Sequence, residues 1–343
     1  MGAPRSVSFG ILGAGMIAEY HRQAIEANAA FGARLAAVGH HDPARFAAVG
    51  AAFGAPCVSA DELLAHPDVD VVCLCTPSGQ HPAQAIAAAR HGKHVLVEKP
   101  MATRVADARA MIAACEDAGV HLGVVLQRRT DDLFRRMRAA VAAGDLGDLT
   151  LGVVTMPYHR PASYYDQADW RGTWAGDGGG VLMNQGIHLV DLLLWFMGDP
   201  VRTHAFAATL HRAIEVEDTL AATLEFGNGA LATIAATTTA LGSPHRLELY
   251  GTRGTIQVEG EQAHLWQLRD ADAARVEPPP LGRATDAGAA GDPRGISPSG
   301  HIQIVRDFGA AVRDGRPPSI DGREGLRSLT AIEAIYRAAG RIA

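Results

Sequence analysis

The sequence predicts an α/β chain in two parts: a doubly wound parallel sheet over residues 1–127, then an α/β domain over 128–343 built on a large, mostly antiparallel, open-faced sheet. Two observations carry that prediction. Between Val7 and Gln127, apolar runs alternate with Ala-rich helical stretches, and the runs are continuously hydrophobic, as strands covered on both faces must be. Beyond Leu149 the runs alternate apolar with polar residues, which suits a sheet that buries one face.

The parallel strands fall at 7–13, 34–39, 69–76, 94–99 and 121–127. A helix at 131–143 and the turn Gly144-Asp145-Leu146-Gly147 lead into the second part, whose strands fall at 149–156, 203–210, 218–226, 230–240, 246–251 and 255–260. Gly227-Asn228-Gly229 separates two of these with residues tolerant of positive φ, a hairpin signal. From Val181 to Met197 the chain is apolar almost all round and ends at Gly198-Asp199-Pro200, so a buried helix is expected. Residues 278–300, rich in Pro, Gly and Ala, read as a long loop, and helices at 301–314 and 323–341 follow.

The 343 residues, 48% hydrophobic and 20% charged, suit two globular domains. The densest basic group, Arg128, Arg129, Arg135, Arg136 and Arg138, alternates with Asp131 and Asp132 at helical spacing, which reads as a solvated helix face and not a nucleic-acid surface. No apolar run reaches about 18 residues, so no membrane partner is expected. MGAPRS fits a myristoylation pattern through Gly2 and Ser6, but it runs straight into the strand at Val7 and is discounted. The four cysteines, Cys57, Cys73, Cys75 and Cys115, lack zinc spacing, so no metal is expected; Cys73 and Cys75 share one face of a strand as small hydrophobes. A soluble, cytoplasmic protein is the expectation.

Chemistry enters at the first turn. Gly13-Ala14-Gly15-Met16-Ile17-Ala18 is GxGxxA between a predicted strand and a predicted helix. The first glycine permits the tight turn, the second lets backbone N–H groups approach a pyrophosphate, and Ala18 allows close helix packing. Opening a βαβ pattern, the motif predicts a dinucleotide site that includes Met16 and Ile17. The next strand ends in His40 and His41 where an acid would hold the ribose 2′-hydroxyl, and Asp42 is a poor substitute, so the cofactor is NAD or NADP.

Two further strands end in polar clusters: Thr76-Pro77-Ser78-Gly79-Gln80-His81 and Glu98-Lys99-Pro100. Ligands of open parallel sheets sit outside the carboxyl ends of the strands, so Thr76, Pro77, His81, Glu98 and Lys99 are candidates for the cofactor crevice. Proline restricts the residue before it to extended conformations, which fixes the direction of Lys99. A partly desolvated lysine there exchanges protons near neutrality or donates to a substrate oxygen. Glu98 would point toward a cofactor ribose or a backbone N–H. In the helix at 181–197, Asn184, His188 and Asp191 form a polar stripe at i, i+4 and i+7, either lining a pocket or closed internally as a His188–Asp191 pair.

Together GILGAGMIA, CTPSGQHP, VLVEKPMA and DGGGVLMNQGIHLVDLLLW closely resemble the Gfo/Idh/MocA family, and the resemblance spans almost the whole chain, including QRR at 127–129 and DWRGTW at 169–174. It implies a Rossmann domain followed by an α/β domain whose open sheet forms an oligomer interface, here a homodimer or homotetramer. It also implies hydride transfer between nicotinamide and a carbinol carbon of a sugar, sugar derivative or cyclitol. Lys99 would bind and help deprotonate the reacting hydroxyl, and His188 would be the general acid/base. Many members have Asp where this chain has Asn184, an amide that orients substrate without moving a proton. Gln127, Tyr158, Trp170 and Arg171 would lie near nicotinamide and substrate. Two alternatives share this fold: an oxidation, elimination and re-reduction cycle that cleaves glycosides, and a non-catalytic sensor of NAD(P).

Overall fold

The structure is a computed structural model that describes residues 6–241, 243–270, 274–282 and 297–342; Gly2 and most of the 278–300 loop lie outside them. Chain contacts divide it into two compact units, residues 1–127 with Ser297–Leu326, and Arg128–Ile296 with 327–343.

The first unit starts with β1 (Val7–Leu12), α1 (Met16–Ala27), β2 (Ala33–Gly39), α2 (Phe46–Phe53), β3 (Cys57–Val58), α3 (Ala60–Ala65), β4 (Val71–Leu74), α4 (His81–Arg90), β5 (His94–Val97), α5 (Val105–Asp117) and β6 (Leu122–Val124). The strands pair in the order β3-β2-β1-β4-β5-β6, every pair parallel. All residues of β1 and β4 are buried, which is why their sequences are continuously apolar. The two-residue β3 is too short to leave a periodic signal. β4 and β5 stop at Leu74 and Val97, short of the expected 76 and 99, so Thr76, Glu98 and Lys99 lie just past the ladder.

The second unit contains α6 (Asp132–Ala143), β7 (Leu149–Pro157), α7 (Ala162–Tyr165), α8 (Ile187–Met197), β8 (Pro200–Ala208), β9 (Thr219–Phe226), β10 (Leu231–Thr237), β11 (Arg246–Gly251), β12 (Gly254–Glu259) and β13 (Gln262–Leu268). The order is β13-β12-β11-β7-β10-β9-β8, with β7 and β10 parallel and every other pair antiparallel. The sequence reading missed β13, whose QAHLWQL has no β-branched residue. Gly229 takes φ +83° in the expected β9–β10 hairpin. One face of the sheet is covered by α8: a Cβ on Gly152 of β7 would come within 2.8 Å of Leu193. On the other face Ala221, Thr223, Leu231, Thr233 and Ala235 are exposed, and Phe206 is 85% exposed. Among the described residues no helix is long and apolar enough to cross a membrane.

The chain then returns. α9 (Ser299–Asp314) sets Ile304, Val305 and Phe308 into one core with Phe9, Ile11, Ile25 and Val71, and α10 (Gly322–Ala338) follows. Gly123 on β6 makes room, since a Cβ there would lie 2.6 Å from the Phe308 ring. Buried Asn28 donates to the Ile302 carbonyl at 2.8 Å and accepts from Arg306 Nε at 2.9 Å. This corrects the expectation that everything after 127 belongs to the second domain: residues 297–326 complete the first. An amphipathic pattern says which side of α9 is buried and nothing about which sheet buries it.

Candidate active site

Gly13 takes φ +101°, and a Cβ on it would lie 2.8 Å from the Cys75 carbonyl oxygen and 3.3 Å from Thr76, so the glycine turn nests against the loop after β4. Gly15 is the N-cap of α1, makes no side-chain cap hydrogen bond, and has open space where a Cβ would point. The first-turn N–H groups of α1 therefore have no side-chain cap, and exposed Met16 and half-buried Ile17 open the helix beside them. That cradle fits a dinucleotide pyrophosphate. At the end of β2, His40 is buried and stacked on exposed His41 at 4.5 Å, and its Nδ1 accepts from the Asp42 N–H at 3.0 Å. The Asp42 carboxylate accepts from the Ala44 N–H at 3.0 Å.

Beyond β4, Thr76 and Pro77 are half-buried. His81 does not reach toward a cofactor as expected. It is buried between the Thr76 carbonyl (Nε2, 2.9 Å) and the Pro100 carbonyl (Nδ1, 3.1 Å), and burial keeps its pKa below the ordinary value. A neutral imidazole donates to one of these two carbonyls and packs against the other, between the two strand-end loops. Glu98 takes the backbone alternative. Its side chain is enclosed and meets His21 and His301, and its other oxygen accepts from the Lys99 N–H at 3.3 Å, the backbone partner and not the ribose. Burial pushes the Glu98 carboxyl up, but the hydrogen bonds from His21 and His301 outweigh it and hold the group ionised, well below the usual range. Half-buried Lys99 leads into a cis peptide bond to Pro100. Of the chain's 31 lysines and arginines, only Lys93 and Lys99 are lysines.

In the second unit Asn184 lies in a π-helical segment, Val181–Gly186, that leads directly into α8, where the sequence predicted one uniform helix. Half-buried His188 is in the first turn of α8. Asp191 has left the expected polar stripe: it is buried, forms a two-point pair with Arg129 at 2.7 Å for both contacts, and accepts from Ser328 Oγ at 2.7 Å. Asn184 donates from Nδ2 to Asp177 Oδ1 at 2.8 Å. Glu217 accepts from the N–H groups of Gly180 (2.9 Å) and Leu182 (3.0 Å) and from the Tyr336 hydroxyl (2.8 Å), and so caps the segment that carries Asn184. Burial raises the pKa of Glu217.

The loop before this segment gathers cations and rings. Arg171 lies 4.4 Å from the Tyr164 ring centroid and 4.7 Å from that of Trp170; Arg160 lies 5.5 Å from Tyr164 and 6.0 Å from buried Tyr158. Gln127, half-buried, begins the short 3-10 turn Gln127–Thr130. Sequence reasoning missed His21, His301, Asp177 and Glu217. The partners of His21, His301 and Glu217 are 77, 203 and 37 residues away, separations at which no local spacing rule speaks, and Asp177, in a turn outside any regular element, meets Asn184 seven residues on.

A doubly wound parallel sheet with a glycine cradle at its switch point, joined to an α/β unit rich in placed polar side chains, defines a nicotinamide-dinucleotide-dependent oxidoreductase. Residues 7–126 match the model of the oxidoreductase family with an NAD-binding Rossmann fold, and residues 134–257 match the GFO/IDH/MocA C-terminal domain. The chain belongs to the GFO/IDH/MocA oxidoreductase family. It is similar to the WlbA dehydrogenase of Bordetella pertussis, solved with NADH and UDP-GlcNAcA, at 36% identity and TM-score 0.86 over 98% of this chain and 97% of that one. It is 29% identical to inositol 2-dehydrogenase of Rhizobium meliloti (strain 1021), with 97% of this chain and 96% of the relative covered. It is 30% identical to D-xylose 1-dehydrogenase (NADP(+)) 2 of Haloferax volcanii, with 96% and 97% covered. The protein is accordingly an NAD(P)-dependent dehydrogenase that transfers hydride.

Proposed function

We propose that the substrate is a sugar derivative bearing an acidic group, of the kind solved with the Bordetella protein, oxidised or reduced at a ring carbinol carbon. One observation carries the choice of an acid. Half-buried Arg171 stacks on Tyr164 and Trp170 and has no carboxylate partner among the described residues. A guanidinium kept partly from water without an acid beside it is a receptor for a substrate carboxylate or phosphate.

The bound dinucleotide supplies the hydride acceptor or donor. Gly13, Gly15, Met16 and Ile17 hold its pyrophosphate; Thr76 and Pro77 border it; His40 and His41 meet the adenosine ribose. With His40 in place of an acid at the end of β2, either NAD or NADP is admitted. Lys99 binds the reacting hydroxyl and helps take its proton, and His188 is the general acid/base. Asn184 orients the substrate and moves no proton. Tyr158, Trp170 and Gln127 shape the surroundings of the sugar and nicotinamide. The exposed face of the second sheet, with Phe206 and small residues, covers itself against a second copy in a homodimer or homotetramer.

The test is an absorbance assay of nicotinamide reduction with NAD+ or NADP+ against nucleotide-linked sugar acids, free sugar acids, neutral sugars and inositols. The acids should lead in kcat/KM by about tenfold or more, a margin that Arg171→Ala removes. A neutral sugar or inositol used better than every acid would refute the substrate assignment.

A further inference from the structure

Three hydrogen bonds converge on one buried carboxylate beside Lys99. Oε1 of Glu98 accepts from Nε2 of His21 on α1 at 2.8 Å and from Nε2 of His301 on α9 at 3.1 Å, while Oε2 accepts from the Lys99 N–H. Glu98, His21 and His301 are 5%, 0% and 1% exposed. Nδ1 of each histidine is buried and meets no hydrogen-bond partner among the described residues. Each ring therefore donates to Glu98 from Nε2, because a carboxylate only accepts and Nδ1 of each ring faces no acceptor among the described residues. The result is a closed set of one carboxylate and two imidazoles.

We propose that His21, Glu98 and His301 are the positioning residues for Lys99. This rests on the reading of Lys99 as the group that handles the substrate hydroxyl. The carboxylate fixed by the two imidazoles in turn fixes the peptide from which the lysine side chain departs. The Glu98 N–H donates to the Leu74 carbonyl at 3.1 Å, and His81 stands against the Pro100 carbonyl, so the strand end is held before and after the lysine. His301 belongs to the return segment, 203 residues beyond Glu98. The lysine is thus placed only when the chain has come back to complete the first unit. The same three side chains offer ligand atoms within 4.8 Å of one another, a donor set a cation would accept. Those atoms are already spent on each other, so a cation would have to displace both imidazole protons' bonds.

With only two lysines the chain can be probed cleanly. Lys93, whose ammonium donates to the His66 and Val69 carbonyls at 2.8 Å each, is an internal reference. The rate of Lys99 acetylation by limiting acetic anhydride, relative to Lys93, is read by peptide mass spectrometry in wild type, His301→Leu and His301→Gln, alongside melting temperature, kcat and KM. Leucine keeps bulk and removes the donor; glutamine returns an N–H near the same place. His301→Leu should change the labelling ratio about threefold and lower kcat about tenfold with KM for the dinucleotide little changed, and His301→Gln should recover most of both. A folded His301→Leu with wild-type labelling and kcat overturns the proposal. So do equal losses in both variants that track melting temperature, and so does a stoichiometric cation in the purified protein. If Lys99→Met leaves turnover intact, the reading of Lys99 fails by itself, while the labelling ratio still reports whether the triad fixes the lysine.

Discussion

Asn184 donates to Asp177 at 2.8 Å, and the second oxygen of that buried carboxylate accepts from the Gly172 N–H at 2.6 Å. Asp177 therefore ties the segment leading to His188 to the loop that carries Trp170 and Arg171. An aspartate at 184 would face a carboxylate, and the two could not both ionise at low cost. Asn184→Asp should lower unfolding free energy by about 1–3 kcal/mol at neutral pH and recover as pH falls toward the carboxylate range. Denaturant melts at several pH values check this, and a wild-type midpoint at neutral pH would contradict it.

Gly13→Ala puts a Cβ against the Cys75 carbonyl at a backbone φ of +101°. The turn must shift, so NADH affinity should drop by about tenfold or more. Fluorescence titration measures it. In wild type the same titration should give Kd values for NADH and NADPH within about tenfold of each other, since His40 and His41, and not a carboxylate, directly follow β2.

Acid should destabilise the fold through buried neutral histidines. Burial, followed by the charge of Arg128, lowers the His245 pKa from 6.5 to about 3, and burial also lowers His21 and His81. Below 6.5 the unfolded chain takes up protons that the native protein refuses, so stability falls as pH falls across the window from 6.5 to about 3. Glu98 acts in the same direction at the acid end, because its depressed carboxyl stabilises above the unfolded carboxylate pKa and loses that contribution as pH drops. Each histidine contributes a slope of up to about 1.4 kcal/mol per pH unit. His245→Gln should remove one such increment; a midpoint flat between about pH 7 and 5 would contradict the assignment.

The sequence announced the parallel sheet because strands such as β1 and β4 are buried on both faces, and it announced the glycine cradle because that motif is local. The strand-end loops and the segment with Asn184 and His188 were legible for the same reason. What stayed hidden depends on distant partners. Asp191 looked like part of a polar stripe until Arg129 and Ser328 claimed it, and His81 and Glu98 looked like cofactor ligands although their polar atoms are used inside the first unit. Spacing locates a side chain on an element, whereas burial depends on what packs against it. The return of 297–326 to the first unit escaped notice on that ground as well.

Phe206 is 85% exposed on the open sheet face. The proposed oligomer through this face predicts that Phe206→Glu shifts the protein toward monomer in light scattering while leaving the melting temperature of the monomer within about 2–4 °C of wild type, since the side chain is largely exposed. An unchanged mass would contradict an interface on this face.

The most direct test of the central claim compares wild type with Lys99→Met, following nicotinamide absorbance with an acidic sugar derivative under saturating cofactor. Proton removal by Lys99, coupled to hydride transfer between the substrate carbon and the dinucleotide, predicts that the variant binds the dinucleotide normally and loses kcat by about 100-fold. Retention of more than about a tenth of wild-type kcat would show that Lys99 does not handle the reacting hydroxyl.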